Sequence, residues 1–451
     1  MNLNEKNSEQ IFEVILSWSY IEWGGAQIYF LSIIKNAPSN WRFTIVLPKD
    51  SKPDIIKFFE PYGVKFDFFD ASFGLFEADG IVGKMKRQWR RINSEYSVYQ
   101  KLSGMNLKNK VLHIENAPWQ SWILIFLLTR CGNVFVTMHN ALPNNVAKWR
   151  RKVWSWRLNF LMKLENFHFF AANQHSIENL KTYIAPVFWH KLILTRASIN
   201  PREINQVFQN DFDRENLLKK HDLPTDKFIV LCVGQFVDRK GRWIFLEAAR
   251  EIAKTNKDIF FVWLMPQFPN EADEKRIAEY DLNDSFKMIK SKTVGKKRED
   301  VLQFFRIADV FTLPSLWEGL PIAILEAMAL GIPTISTDLN AIPEAVKNNE
   351  TGLLVKIGDS TELTEAILKL FNDKNLRERL GKNGREFVSE NFDEQFWARI
   401  ALGCRRGPGA RRAGHRRAGR EEVARNPLVP LRSPSGAGSP PSGSGRGRRT
   451  I

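Results

Sequence analysis

Two glutamates, Glu318 and Glu326, flank a helix start in the run ADVFTLPSLWEGLPIAILEAMALGIPTISTDLNAIPEAV, Ala308 to Val346. Val310–Leu313 reads as a buried strand and Pro314–Gly319 as a turn. Pro321 suits the first helical position, where φ is already set and no useful N–H is lost. Gly331 suits the left-handed position just past a helix, and Pro333 prevents continuation. A helix is therefore expected over Pro321–Leu330, directly after a strand end. Glu318 then lies on a loop and Glu326 inside the helix, at most about 12 Å apart if the span is all helical. The free N–H groups of the helix start between them carry partial positive charge and suit a phosphate. Two carboxylates flanking a phosphate site fit a polyhydroxylated ligand with a diphosphate in its middle.

The elements that must hold this arrangement alternate between short apolar runs and amphipathic stretches. Ile11–Leu16, Phe43–Leu47, Val64–Phe69, Val111–Ile114, Val134–Met138 and Phe167–Ala172 read as strands, and Ala26–Ile34 as a helix. The rhythm restarts at Phe228–Val233 and continues through Phe260–Leu264, Val310–Leu313, Thr334–Ser336 and Leu353–Val355. Repeated βαβ units of this kind build parallel sheets flanked by helices. The expected fold is α/β: two Rossmann-like domains with a cleft between them. The boundaries fall at 1–200, a polar crossover at 201–226, a second domain at 227–402, and a tail at 403–451. Ligands of open α/β sheets bind beyond the carboxyl ends of the strands, so the loops after each strand are the place to look.

The chain has 451 residues, which suits two domains plus extras, and a net charge of +16. Residues 401–451 hold 12 Arg, no Lys and 2 Glu, a net of +10, so the first 400 carry only +6. From Gly403 the sequence turns abruptly to Arg, Gly, Pro and Ser without aromatics. Such a segment buries too little apolar area to offset its ordering entropy and is expected to be disordered. Cys131, Cys232 and Cys404 stand alone, which argues against a disulfide framework or structural zinc and fits a reducing cytoplasm. The polar N-terminus does not read as a signal peptide, and the longest apolar run, near Trp122–Leu128, is too short to span a bilayer.

The Ala308–Val355 stretch resembles the signature of glycosyltransferase family 4, a retaining family with the two-domain GT-B fold. The resemblance rests on Ala308, Asp309, Pro314, Ser315, Glu318, Gly319, Pro321, Glu326, Ala327, Gly331, Pro333, Glu344 and Gly352. It implies that Glu318 contacts the donor sugar or its reacting region and that Glu326 holds the ribose hydroxyls. Gly319, Leu320, Pro321 and Ile322 would form the donor-binding loop, the last three bringing backbone N–H groups to the diphosphate and sugar. Val233–Gly241, VGQFVDRKG, resembles the first loop of the family's C-terminal domain. There Lys240 matches the family lysine that faces the leaving diphosphate, where a fixed cation stabilises developing negative charge. Gln235 stands where the family carries Arg, and Arg239 is a candidate substitute. Gly24 and Gly25 match the family's N-terminal GGA element, which faces the diphosphate and acceptor. His139, after a clear strand, matches a family His near the reacting sugar. Asn173–Ser176 resembles a strand end on the cleft wall. The family's glycine-rich turn after the second C-domain strand is replaced by VWLMPQFPN, which leaves the base open.

The resemblance implies transfer from a nucleotide sugar, UDP- or GDP-linked, to a glycan or lipid-linked acceptor, with retention of configuration. No separate cofactor is expected. No DxD motif stands in a suitable loop, so metal-independent transfer is expected. Bacterial surface-polysaccharide or glycolipid assembly, in the cytoplasm or at the inner face of the membrane, is the implied setting. A GT-B-fold epimerase or hydrolase and a non-catalytic nucleotide-sugar-binding partner remain alternatives. Nucleic-acid binding rests mainly on the tail and is not expected. Two basic aromatic stretches, Lys84–Arg91 and Lys148–Arg157, suit an anionic membrane surface or nucleic acid, or form solvated helix faces.

Overall fold

The computed structural model describes residues 11–19, 25–70, 80–143, 145–282, 284–295 and 297–405. The first sheet comprises β1 (Phe12–Trp18), β2 (Trp41–Pro48), β3 (Lys65–Phe69), β4 (Val111–Glu115), β5 (Asn133–Met138), β6 (Phe167–Ala171) and β7 (Leu192–Leu194). Its order is β3-β2-β1-β4-β5-β6-β7, and every pairing is parallel. The helices between these strands are α1 (Gly25–Lys35), α2 (Pro53–Phe59), α3 (Gly80–Ser103), α4 (Trp122–Thr129), α5 (Lys148–Lys163) and α6 (Gln174–Lys181). Val98 and Leu102 of α3, Leu124 of α4 and Leu158 of α5 share one core cluster with β4, β5 and β6. These three helices therefore cover the same face of the sheet.

Two helices of the crossover follow, α7 (Pro201–Gln209) and α8 (Arg214–Lys220). Both look polar in sequence, yet each has a narrow apolar stripe. Ile204, Val207 and Leu218 enter the core of the second sheet, so the crossover packs with the second domain. Side-chain caps start both helices: Asn200 accepts from Arg202 N and Glu203 N, and Asp213 from Asn216 N.

The second sheet comprises β8 (Phe228–Val233), β9 (Ile259–Met265), β10 (Phe286–Lys290), β11 (Val310–Leu313), β12 (Thr334–Thr337) and β13 (Leu353–Val355). Its order is β10-β9-β8-β11-β12-β13, again parallel throughout. Its helices are α9 (Arg242–Thr255), α10 (Glu271–Ala278), α11 (Ser291–Val294), α12 (Arg298–Phe305), α13 (Ile322–Ala329), α14 (Ile342–Ala345), α15 (Ser360–Asn372), α16 (Lys374–Asn391) and α17 (Glu394–Arg405). Strands β8 and β9 read as near-continuous apolar runs because both faces are covered. In each sheet the order reverses next to the first strand, and the loops at that switch point form the cleft side.

Two expectations need correction, the role of Pro321 and the strand count. Pro321 is the N-cap of α13, with ψ 127, and the helix begins at Ile322. Gly331 does take the left-handed conformation, φ 75, just past the helix. The last helix, α17, runs on to Arg405, just past the expected tail boundary at Gly403. The rest of the tail, 406–451, lies outside the described residues. Strands β7 and β10 were not anticipated.

Candidate functional site

Glu318 sits in the turn between β11 and α13 and is buried. Its Oε1 is 2.6 Å from Arg239 Nη1 and 2.8 Å from Lys240 Nζ. Both cations come from a short 3-10 turn, Asp238–Lys240, that follows β8. The two loops are locked by backbone contacts: Leu316 N–H donates to Arg239 O at 2.9 Å. Gly241, at φ +73, passes so close that a Cβ there would lie 1.8 Å from Pro314 O, so glycine is required on two counts. Lys240 is 13% exposed and Arg239 42%, so Lys240 is the better held of the pair. The local charge of Glu318, Arg239 and Lys240 is +1, which favours an anion beside them. Gln235 is half-buried on the same loop.

The loop continues through Gly319, Leu320 and Pro321, all buried, to the half-buried Ile322. Pro321 has no N–H and donates nothing, which corrects the role assigned to it. By position, the N–H groups of Ile322 and Ala323 open the helix without intrahelical acceptors. Asn340 Nδ2 donates to Glu318 O at 2.7 Å and fixes the turn from the far side.

The first domain meets this loop directly. A Cβ on Gly319 would lie 2.3 Å from His139 O and 2.9 Å from Asn140 Oδ1. His139 follows β5 and its Nε2 is 3.0 Å from Glu115 Oε1 at the end of β4. The ring donates to Glu115 in the tautomer that places a proton on Nε2. The Tyr29 ring packs edge-on against His139 at 5.3 Å, and Asn173 Nδ2 donates to His139 O at 2.8 Å. Gly25 opens α1 on the cleft side, and a Cβ on it would meet nothing within 4 Å. Among the described residues nothing fills that space. Gly24 lies outside the described residues. His113, by contrast, is fully buried within the sheet and bonds Thr137 at 2.8 Å, as a structural His would.

Glu326 is also buried, but it is separated from Glu318 by its partners. Arg298 Nη2 approaches Glu326 Oε1 at 2.5 Å, and Arg298 Nε lies 3.5 Å from Glu203. Lys35 of α1 then spans Glu203 and Glu394, each at 3.5 Å. This chain of charges joins the first domain, the crossover and α17. Burial pushes the Glu326 carboxyl above the ordinary carboxylate range; Arg298 opposes the shift and Glu203 adds to it. Burial alone would depress Arg298, but Glu326, Glu203 and Glu394 hold its guanidinium above the ordinary value.

Glu344, at the start of the second half's α14, reaches across to the N-terminus of α6. Its carboxylate accepts from Gln174 N at 3.0 Å and His175 N at 2.8 Å. The Asn173–Ser176 segment thus does line the seam between the domains. Sequence reading missed Glu115, Arg298 and the seam role of Glu344. Glu115 had a signal, an acid at the carboxyl end of a central parallel strand. Arg298 had none, because its pairing with Glu326 is set by helix packing. Among the described residues no three His, Cys, Asp or Glu side chains gather to hold a metal, and no helix is long and apolar enough to cross a membrane.

Fold and site define a two-domain, all-parallel α/β protein of GT-B architecture, in which a carboxylate clamped by two cations sits on a loop that abuts the backbone of His139. Residues 213–387 match the family model described as glycosyl transferases group 1. The chain is 31% identical over 179 residues to the capsular polysaccharide biosynthesis glycosyltransferase CapM of Staphylococcus aureus, covering 40% of this chain and 46% of that protein. It is 30% identical over 215 residues to the UDP-Gal:alpha-D-GlcNAc-diphosphoundecaprenol alpha-1,3-galactosyltransferase of Escherichia coli, covering 45% of this chain and 54% of that one. The matched region thus spans about half the length of these curated relatives. Among solved structures, HepE of Anabaena in complex with UDP-glucose superposes with a TM-score of 0.67 at 15% identity, covering 86% of this chain and 98% of that one. WaaG, a glycosyltransferase involved in lipopolysaccharide biosynthesis, gives 0.64 at 14%, covering 88% and 100%. At these identities the structural likeness speaks to the fold.

Proposed function

We propose that this chain is a retaining glycosyltransferase of family 4 type that moves a hexosyl group from a nucleotide sugar to an acceptor hydroxyl. The observation that carries the reading is Glu318, buried beneath Lys240 and Arg239 on the loop that abuts His139. A donor diphosphate, carrying negative charge, would draw the two cations off Glu318 and settle at the start of α13. Lys240, Arg239 and the helix N–H groups then stabilise the charge that builds as the bond from the anomeric carbon to the phosphate oxygen breaks. The bonding electrons leave with the phosphate. Glu318, released, faces the sugar. The acceptor oxygen bonds to the anomeric carbon on the face the phosphate leaves, and its proton passes to the departing phosphate oxygen. Glu326 takes the ribose hydroxyls on the lone pairs that Arg298 does not use. The positive charge is supplied by side chains and a helix start, which supports transfer without a metal.

UDP and UDP-glucose are the ligands in HepE complexes, and the Escherichia coli relative is named for a UDP-sugar and a lipid-linked acceptor. We extend both to this chain: a UDP-linked donor, with GDP as the rival, and a glycan or lipid-linked acceptor in bacterial surface-glycan assembly at the cytoplasmic side. The test is proton NMR of turnover with a UDP-α-sugar. The first-formed product should carry the α configuration. A β product would refute retention, and accumulation of an epimerised donor without acceptor would refute transfer.

A further inference from the structure

Helix α3 turns an apolar stripe outward. Val82, Met85, Trp89, Ile92 and Tyr96 recur at spacings of three and four, which places them on one face, and all are exposed. A helix of a soluble domain normally buries such a stripe. Met85 is 67% exposed and Trp89 65%. Between Gly80 and Ser94 the helix carries five cations, Lys84, Lys86, Arg87, Arg90 and Arg91, and no acid. Helix α5 repeats the pattern: Lys148, Arg150, Arg151 and Lys152 accompany Trp149 and Trp156, which are 64% and 57% exposed, and α5 too has no acid.

The two helices belong to one surface. Both cover the same sheet face with α4 between them. Arg91 donates to Gln120, just before α4, at 3.4 Å. Trp122 of α4 meets Trp156 edge-on at 5.3 Å, and Ile123 of α4 is exposed beside it.

We infer that the outer face of α3, α4 and α5 docks on an anionic lipid bilayer. The charge and the side-chain types select this occupant. Apposing two copies of the face would set cation against cation. Val82, Met85, Ile92 and Ile123 have no use on a phosphate backbone, whereas aliphatic side chains enter the acyl boundary. Trp rings sit at the headgroup level, and Lys and Arg are drawn to anionic headgroups. The inference is independent of the chemistry proposed for the cleft.

The test is co-sedimentation of the full chain with vesicles of phosphatidylcholine alone and of phosphatidylcholine with phosphatidylglycerol. Two variants are compared, M85S/W89S/W149S/W156S and K84Q/K86Q/R90Q/K148Q. All eight side chains lie outside the cleft machinery, and unchanged circular dichroism confirms folding. The parent should bind anionic vesicles at least about tenfold more tightly than neutral ones, and each variant should lose about tenfold or more. High salt should weaken the parent and have less effect on the charge variant. Equal binding by parent and both variants would overturn the inference and transfer the contact to the Arg-rich tail. No vesicle binding, or loss in the variants of a dimer seen by sedimentation velocity without vesicle binding, would overturn it in favour of another occupant.

Discussion

Gly319→Ala isolates the contact between the two domains. The backbone at Gly319 accepts alanine, because its φ lies outside the left-handed region. The added Cβ, however, would stand 2.3 Å from His139 O and 2.9 Å from Asn140 Oδ1. An ordinary carbon–oxygen contact is about 3.3 Å or more, so the loops must part by about 1 Å. The obstruction lies between domains rather than inside a core, so each domain should fold as before. A shift of 1 Å between groups that must meet around one sugar lowers the rate by about a hundredfold, or about 2.7 kcal/mol in the barrier. The assay is kcat/KM for sugar transfer or donor hydrolysis, beside a thermal melt. A large loss in kcat/KM with a melting temperature close to the parent's is expected. Parental kinetics in a folded variant would show that catalysis does not need the His139–Gly319 contact, and the reasoning would fail.

Other perturbations separate the remaining parts. Lys240→Met should lower kcat by about 10²–10³, as loss of one preorganised charge does, while the more exposed Arg239→Met should cost less; steady-state kinetics on both variants tests the ranking. Gly25→Ala should melt like the parent, since its Cβ meets no described residue, yet weaken donor or acceptor binding if, as proposed, the ligand occupies that space. Arg298→Met strands Glu326 as a buried charge and should cost about 3–5 kcal/mol in denaturant unfolding, with much of the loss restored by adding Glu326→Gln. Glu95 offers a pH test: burial raises its carboxyl above the ordinary 4.5, despite the Ser121 hydroxyl and Arg91. The folded state therefore holds the proton more tightly, and the stabilisation present below pH 4.5 is lost as pH rises through the raised folded value. Glu95→Gln lacks that loss, so its melting temperature should gain on the parent's from acid to neutral pH.

Much of this was readable from the chain because doubly covered parallel strands are apolar along their whole length. Phe228–Val233, Val310–Leu313 and Leu353–Val355 were located to the residue. The two missed strands are edge or near-edge elements. Leu192–Leu194 is only three residues long, and Phe286–Lys290 breaks its apolar run with two lysines at an edge of the sheet. Proline at a helix start fits both N-cap and first-turn positions, and only the ψ of Pro321 decides between them. The loop carrying Glu318 was legible because its residue types and spacing are local. The clamp on Glu318 was half legible, since Arg239 and Lys240 are adjacent but their target is 79 and 78 residues away. Arg298 on Glu326, and Glu344 on the α6 N-terminus, join segments that no local pattern connects. The outward stripe of α3 was visible as composition, but its exposure follows from how little of the helix's first half packs on the sheet.

The central claim is that a nucleoside diphosphate sugar binds at Glu318, Lys240 and the start of α13. Thermal shift against UDP-, GDP-, ADP- and dTDP-sugars, run in parallel on the parent and on Lys240→Met, tests it most directly, because a ligand of the native state raises its melting temperature by mass action. A selective rise with one base, UDP foremost, that is lost in Lys240→Met is the expected result. No shift with any of the four, or a shift that Lys240→Met retains in full, would contradict the account.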